Sequence, residues 1–345
     1  MTWRGERVTS LTVEIPDIVL SGERQRQNSE AGGAALPRLT TTVPREYVHR
    51  ASHAEVFLTG GERLDESRFA LTGQWPRTHT FFTSGGTCHD PLQAAETIRQ
   101  TGLFLAHAGF DVPLDHQFLM WDLHITTHPE QQEIGVRPSE LTILVNCLDL
   151  VRKGKRLAEF RMEMEIERAG LPCAAGGGRF TCVSAATYRR LRATTAKQPS
   201  NRRHPQRLVP PEVVGRTLPT EVVLATTDRP GRWLLDPDPR HPILFEHATD
   251  HYPGMVLLEA ARQAAIAHSA PLTMEPLSMH AEFHRYAEYE APVWIEVYAL
   301  PEAGSDRTGL RIVGTQRDRD VFTATVHGQL TAPQPPLPLV GDTAG

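Results

Sequence analysis

The 345-residue chain has only four cysteines, Cys88, Cys147, Cys173 and Cys182, and no two of them form a C-x-x-C pair. That spacing offers neither a zinc ribbon nor a thioredoxin-like dithiol, so reduced thiols in a cytoplasmic protein are the expectation. Long apolar runs are missing too. No segment holds 18 uninterrupted apolar residues, and the opening MTWRGERVTSLTVEIP has no apolar stretch ahead of a cleavage site, so neither a membrane span nor export is expected. Nor is there a surplus of basic residues: 36 Lys and Arg face 41 Asp and Glu, a formal net charge of -5. A general nucleic-acid binder carries the opposite balance. What is present, 40% hydrophobic residues at a mean hydropathy of -0.34, describes a soluble globular protein of one large or two ordinary domains.

The stretch FEHATDHYPGMVLLEAARQAAIAH, from Phe245 to His268, stands out. From Pro253 onward it is apolar on every helical face except at Glu259, Arg262 and Gln263, and such a helix is one that other structure wraps. A carboxylate and a guanidinium inside that wrapping cost several kcal/mol each unless paired or used. Pro253 and Gly254 suit a helix start, where free N–H groups can receive a carbonyl oxygen or a phosphate.

The chain also repeats itself. VPREYVHRASHAEVFLT from Val43 lines up with VPPEVVGRTLPTEVVLA from Val209, and such self-similarity marks a duplicated unit. His89 and Pro91 of HDPLQAAETIRQ match His251 and Pro253; Glu96, Arg99 and Gln100 match Glu259, Arg262 and Gln263; FLMWDLHI around His124 is matched to LSMHAEFHRY around His284. Periodicity predicts in the first half a helix over 92–107 and strands over 118–125, 140–151, 156–167 and 179–185. In the second half it predicts a helix over 255–268 and strands over 277–286, 291–299, 309–315 and 321–330. One buried helix followed by antiparallel strands, twice, implies a sheet curled around a central helix. The expected organisation is an N-terminal extension over 1–42 with one strand over 11–15, a first repeat over 43–190, a basic linker over 191–208, a second repeat over 209–331 and a Pro-rich tail over 332–345. The basic run is either a solvated linker or a docking surface for an acidic partner such as an acyl carrier protein.

The string PGMVLLEAARQ resembles the P-G-V-x-x-L-E-A-x-x-Q helix of hotdog-fold thioester enzymes, in particular the 3-hydroxyacyl carrier-protein dehydratases. With HDPLQAAETIRQ in the other half, the chain resembles the A-factor biosynthesis (AfsA-like) tandem hotdog family, makers of γ-butyrolactone, butenolide and furan signals. The resemblance covers residues 43–330 and implies an α+β double hotdog, two antiparallel sheets each wrapped around a central helix, acting as a monomeric pseudo-dimer or as a homodimer. It implies transfer of a 3-oxoacyl group from acyl carrier protein to dihydroxyacetone phosphate, the ester then condensing to a butenolide phosphate, with no cofactor or metal required. The dehydratase pattern would put its catalytic His at Phe245, and a phenyl ring moves no protons. An acyl-thioester hydrolase or dehydratase and a non-catalytic ligand-binding hotdog remain as alternatives.

Glu259 and Arg262 lie on one helical face and either pair with each other or serve chemistry, and Glu96 and Arg99 repeat the choice. For the transfer, Glu259 is the expected general base with Glu96 as rival, Arg262 or Arg99 the phosphate-binding group, and the N–H groups of Gly254 and Met255 the oxyanion donors. His247, Asp250, His251, Gln263, His284 and Arg285 are supporting candidates. His247 and His251 have the spacing of a zinc pair on a helix, but Pro253 interrupts such a helix, so no metal site is expected.

Overall fold

The computed structural model of the chain describes residues 41–83, 86–193, 207–247, 249–301 and 307–332. Nearly all of the expected extension with its strand over 11–15, the linker over 194–206 and the tail beyond 332 lie outside the described residues.

In the first half, β1 (Leu58–Arg63) and β2 (Arg68–Trp75) form a hairpin. Asp65 shapes its turn by accepting the N–H groups of Ser67 and Arg68 at 2.9 and 2.8 Å, a local bond that favours a turn over continued strand. Helix α1 (Pro91–Phe104) follows, with Asp90 accepting the Leu92 N–H as its cap and Pro91 in the first position, where a missing N–H costs nothing. A π turn over Leu105–Gly109 ends the helix. Strands β3 (Gln117–Thr127), β4 (Ser139–Lys153), β5 (Arg156–Arg168) and β6 (Leu171–Val183) complete the half. Strand β4 shows the rule that builds them: Leu141, Ile143, Val145 and Cys147 alternate into the core while their neighbours face out, as a period of two requires.

A short helix α2 (Ala185–Leu191), capped by Ser184, leads out of the first half. The second half has β7 (Leu224–Thr226), β8 (Arg232–Leu235), α3 (Gly254–Ser269), β9 (Thr273–Phe283), β10 (Trp294–Ala299), β11 (Arg307–Gln316) and β12 (Arg319–Thr331). The sheet order is β1-β2-β4-β5-β6-β3-β9-β12-β11-β10-β8-β7, so each half reads the same from its outer edge inward. The two expected sheets are joined through β3 and β9 into one continuous antiparallel sheet. His124 pairs with His280 in that join, flanked by Leu123 with Ala281 and Ile125 with Met279. The twofold relation therefore equates His124 with His280, and the alignment of His124 to His284 is corrected by four residues.

Strand β6 begins at Leu171, well before the predicted 179, because its Ala- and Gly-rich start reads as loop by composition. A Cβ on Gly176 would stand 2.1 Å from the His124 carbonyl oxygen and 2.8 Å from Ile98 Cδ1, and one on Gly177 would stand 2.0 Å from the Met162 carbonyl oxygen. Only glycine lets β6 lie this close to its neighbours and to α1.

Candidate active site

Each central helix hides a carboxylate. Glu96 and Glu259 are fully buried, and a buried ion survives only with close partners. Glu259 accepts from Arg216 Nε and Nη2, both at 2.7 Å, from Arg262 Nε and Nη2 at 2.9 and 2.8 Å, and from Gln263 at 2.6 Å. Glu96 accepts from Arg50 Nε at 3.0 Å, from Arg99 Nε and Nη2 at 2.9 Å each, and from Gln100 at 2.7 Å. Burial alone would raise both carboxyl pKa values, but the arginines outweigh it and hold each at about 2. Both groups are thus ionised with their lone pairs taken, and neither is among the residues that line the large cavity between the halves. The general-base roles expected of Glu259 and Glu96 meet that geometric obstacle.

Arg50 and Arg216 were not among the expected site residues. They come from 46 and 43 residues away in sequence from their glutamates, beyond the reach of helical periodicity. The signal was in the repeat, since VPREYVHR and VPPEVVGR end on the same arginine. Gln263 and Gln100 are structural clamps. Each donates to its glutamate and to a backbone carbonyl, Glu221 or Glu55, and accepts a backbone N–H from Val223 or Phe57.

The two halves part company at the helix starts. At α1, Asp90 Oδ2 stands 3.2 Å from Arg216 Nη1 and 3.9 Å from Arg262 Nε. The Phe81 ring covers the Arg216 guanidinium at 4.0 Å, and the Phe81 carbonyl accepts its Nη1 at 2.7 Å. His89 is buried, with Nδ1 bonded to Gln93 at 2.9 Å and Nε2 to Ser139 at 3.1 Å. This site is shut, and Arg262, expected as a phosphate ligand, is enclosed in it.

At α3 no side chain caps the helix, and the Gly254 and Met255 N–H groups have no hydrogen-bond partner among the described residues. Tyr252 takes the place that Asp90 holds in the other half. Here a cavity of about 1290 Å³ opens, bounded by the α3 start, by Arg99 and by an apolar wall that includes Leu103, Phe118, Met120 and Phe180. Arg50 turns its free arm to Glu246 Oε2 at 2.7 Å, and Glu246 Oε1 accepts the N–H groups of Ala51 and Ser52. Arg99 is left facing the cavity, its Nη1 without a hydrogen-bond partner among the described residues.

His251 lies in the same cavity. Its Nδ1 is 2.7 Å from Asp250 Oδ1. A carboxylate only accepts, so Nδ1 carries the proton. Nε2 has no partner among the described residues. Asp250 is itself anchored by the Tyr188 hydroxyl at 2.8 Å and Arg192 Nε at 3.0 Å. Arg192 also grips Glu288 at 2.6 and 2.8 Å and covers the Tyr286 ring at 4.1 Å. Burial would raise the Asp250 pKa, but the bonds from His251, Arg192 and Tyr188 pull it well below the carboxylate range. Tyr188 and Arg192, on either side of the expected boundary between first repeat and basic linker, thus serve the cavity wall, and nothing in their local sequence announces it.

The remaining candidates divide. His247 lines the cavity, as does His284, whose Nε2 lies 3.2 Å from the Thr323 hydroxyl; Arg285 lines it too and donates to the Asp320 carbonyl at 3.0 Å. Phe245 packs against the core and does not line the cavity. Among the described residues, no group of three or more His, Cys, Asp or Glu is placed to hold a metal ion, and no helix is long and apolar enough to cross a membrane.

Comparison with known proteins bears on this arrangement. The sequence model of the A-factor biosynthesis hotdog domain matches residues 33–184 and again 197–332. A 2-oxo-3-(phosphooxy)propyl 3-oxoalkanoate synthase of Streptomyces virginiae is 49% identical over 288 residues, which cover 84% of this chain and 98% of that protein. A protein of the same description from Streptomyces griseus is 36% identical over 285 residues, 82% of this chain and 94% of that one. Among solved structures, the 12:0-ACP thioesterase from Umbellularia californica is 7% identical at a TM-score of 0.46, covering 76% of this chain and 94% of that chain, a likeness too loose to argue from.

Proposed function

The chain belongs to the A-factor biosynthesis hotdog family, and from that premise we propose that it joins a 3-oxoacyl group, delivered as a thioester on acyl carrier protein, to the free hydroxyl of dihydroxyacetone phosphate. The product is a 2-oxo-3-(phosphooxy)propyl 3-oxoalkanoate. The observation that carries this reading is the His251–Asp250 pair, its Nε2 free at the lip of an uncapped helix start, inside a cavity with an unengaged guanidinium edge and an apolar wall.

His251 Nε2 takes the hydroxyl proton as the hydroxyl oxygen attacks the thioester carbonyl. Asp250 holds the ring in the required tautomer and stabilises the imidazolium, a job that suits an aspartate already locked by Tyr188 and Arg192. The carbonyl oxygen, now an oxyanion, meets the N–H groups of Gly254 and Met255 at the positive end of α3. The C–S bond then breaks, and the leaving thiolate recovers the proton from His251. The base role thus passes from Glu259 and Glu96 to His251. Those glutamates instead fix Arg50, Arg99, Arg216 and Arg262. Arg99 takes the phosphate, because its fork has an unused edge on the cavity, while Glu246, the carboxylate that meets Arg50 as Asp90 meets Arg216, has no bond to Arg99 among the described residues. The 3-oxoacyl chain lies along Leu103, Phe118, Met120 and Phe180, and the two halves of one chain serve as their own dimer. Arg189, Arg285, Arg317 and Arg319 on the cavity lining form the surface that meets the acidic carrier.

The test is a mass-spectrometric assay of the purified protein with a 3-oxoacyl thioester and dihydroxyacetone phosphate. The ester or its butenolide phosphate should accumulate in step with thiol release. Free 3-oxo acid as the sole product would replace the transferase by a thioesterase, and absence of any turnover would favour a ligand-binding role.

A further inference from the structure

His49 lines the same cavity from the first half, yet the reaction as drawn gives it no part. Its backbone is left-handed, at φ 51° and ψ 48°, while the twin position in the second half is Gly215 at φ 65° and ψ 39°. A side chain in that conformation costs energy that glycine avoids, and such outliers persist where function holds them. The ring is held by a second histidine. His107 Nδ1 is 2.7 Å from the Val112 carbonyl oxygen, and His107 Nε2 is 2.9 Å from His49 Nε2. A carbonyl only accepts, so His107 carries its proton on Nδ1 and offers a lone pair at Nε2, and His49 must donate from Nε2. His49 Nδ1 is then a bare acceptor, without a partner among the described residues. Burial, reinforced by His107 and Arg99, pushes the His49 pKa down to about 3, so the ring stays neutral.

A fixed, neutral acceptor calls for a donor. On the proposed reading, the 3-oxoacyl chain and its thioester carry only acceptors, and the one hydroxyl proton of the triose phosphate goes to His251. The donors left over are those of the carrier's pantetheine-type arm, two amide N–H groups and one hydroxyl, and the amide next to the sulfur lies nearest the reacting carbonyl while the hydroxyl lies farthest from it. We infer that His49 Nδ1 accepts a hydrogen bond from an amide N–H of the thioester arm, making it a donor-recognition residue that sets the protein's preference for amide-bearing thioesters. His107 is the positioning residue, because it fixes which nitrogen of His49 is bare.

The experiment compares two donors with the same 3-oxoacyl chain, an N-acetylcysteamine thioester, which has the amide, and a simple alkyl thioester, which lacks it. Thiol release is followed for the parent, His49→Gly and His107→Leu. Thiol release reports on hydrolysis and transfer alike, so the result stands even if the ester product of the proposed function never forms. The parent should favour the amide donor by about tenfold in kcat/KM, the worth of one hydrogen bond of ordinary strength. In His49→Gly the preference should fall to near unity, because only the amide donor loses a partner. That variant is expected to fold, since glycine already makes this turn in the second half. In His107→Leu the preference should fall severalfold, because His49 can then present its N–H instead, while His107→Gln, whose amide oxygen accepts the same N–H, should keep it. A preference unchanged in both His49→Gly and His107→Leu overturns the assignment, as does an equal loss of rate with both donors.

Discussion

Two helix starts, related by the duplication, began with the same parts and ended differently. Each has a helix glutamate held by two arginines and a glutamine, and each has a histidine just upstream. At α1 that histidine, His89, has both nitrogens bonded, and Asp90 answers the arginines and caps the helix. At α3 the histidine, His251, has one nitrogen bonded and one free, tyrosine replaces the aspartate, and the helix amides are uncapped. On the proposed reading, the difference is what separates a structural ion network from a reactive site. The buried charges are common to both, and what the open site has in addition is groups left without partners.

The comparison breaks most visibly at the histidines. His251→Asn should lower kcat by about 10²- to 10⁴-fold, the usual worth of a positioned general base, with the melting temperature near that of the parent. His89→Asn should do the reverse, leaving kcat alone and costing about 1–3 kcal/mol of stability through its buried bonds. Paired kinetics and thermal melts decide the matter. If His89→Asn were the one to abolish turnover, the open and shut assignments would be exchanged. The arginines give the next largest contrast. Arg99→Lys keeps a cation beside Glu96 but loses the planar fork, so KM for the triose phosphate should rise by about 10- to 100-fold. Arg262→Met should leave that KM in place and cost about 3–5 kcal/mol, because it strands charge inside the protein.

How much of this could be read from the chain alone depended on distance along it. The strongly alternating β4 and β5 and the two E-x-x-R-Q helices were legible because period and spacing are local. Strand β1, with Gly60 and Gly61 at an edge, and the short β7 and β8 gave no comparable pattern; β2 alternates, with Phe69, Leu71 and Trp75 turned inward, and was missed all the same. The site was legible as a neighbourhood: Arg99, His247, Asp250, His251, Gly254 and Met255 do meet at one cavity. Which carboxylate was free to act was not, since that depended on Arg50 and Arg216 arriving from elsewhere in the fold. A helical wheel showed Glu259 beside Arg262 but could not show that five N–H groups converge on it.

Acidity probes the feature the two halves share. Glu96 and Glu259 have folded pKa values depressed from 4.5 to about 2, so their stabilisation is complete above about pH 4.5 and is lost as pH falls towards 2. His49, His89 and His241 are depressed from 6.5 to about 3, 4 and 4, mainly by burial. Their contribution is complete above about pH 6.5 and fades below it. The unfolding free energy from urea titrations should therefore start to fall below pH 6.5 and keep falling below 4.5, where the glutamates take over from the histidines. A flat profile down to pH 4 would contradict the buried, neutral state of these rings.

The smallest expected effect bears most directly on why one site is shut. Asp90→Asn keeps a side chain able to cap α1 but removes the negative charge beside Arg216 and Arg262, and should cost about 1–3 kcal/mol without changing turnover. Asp90→Ala also forfeits the cap, adding about 1 kcal/mol, and leaves a gap facing two guanidinium groups and the free amides of a helix start. A small anion should fit that gap. Acetate or formate should then raise the melting temperature of Asp90→Ala more than that of the parent, because binding only the folded state stabilises it by mass action. That outcome would mean the first half keeps the anion-binding geometry of the second and occupies it with its own carboxylate. Equal response of parent and variant would mean that Asp90 is a helix cap whose nearness to the arginines is incidental, and the place of the phosphate at Arg99 would lose its internal precedent.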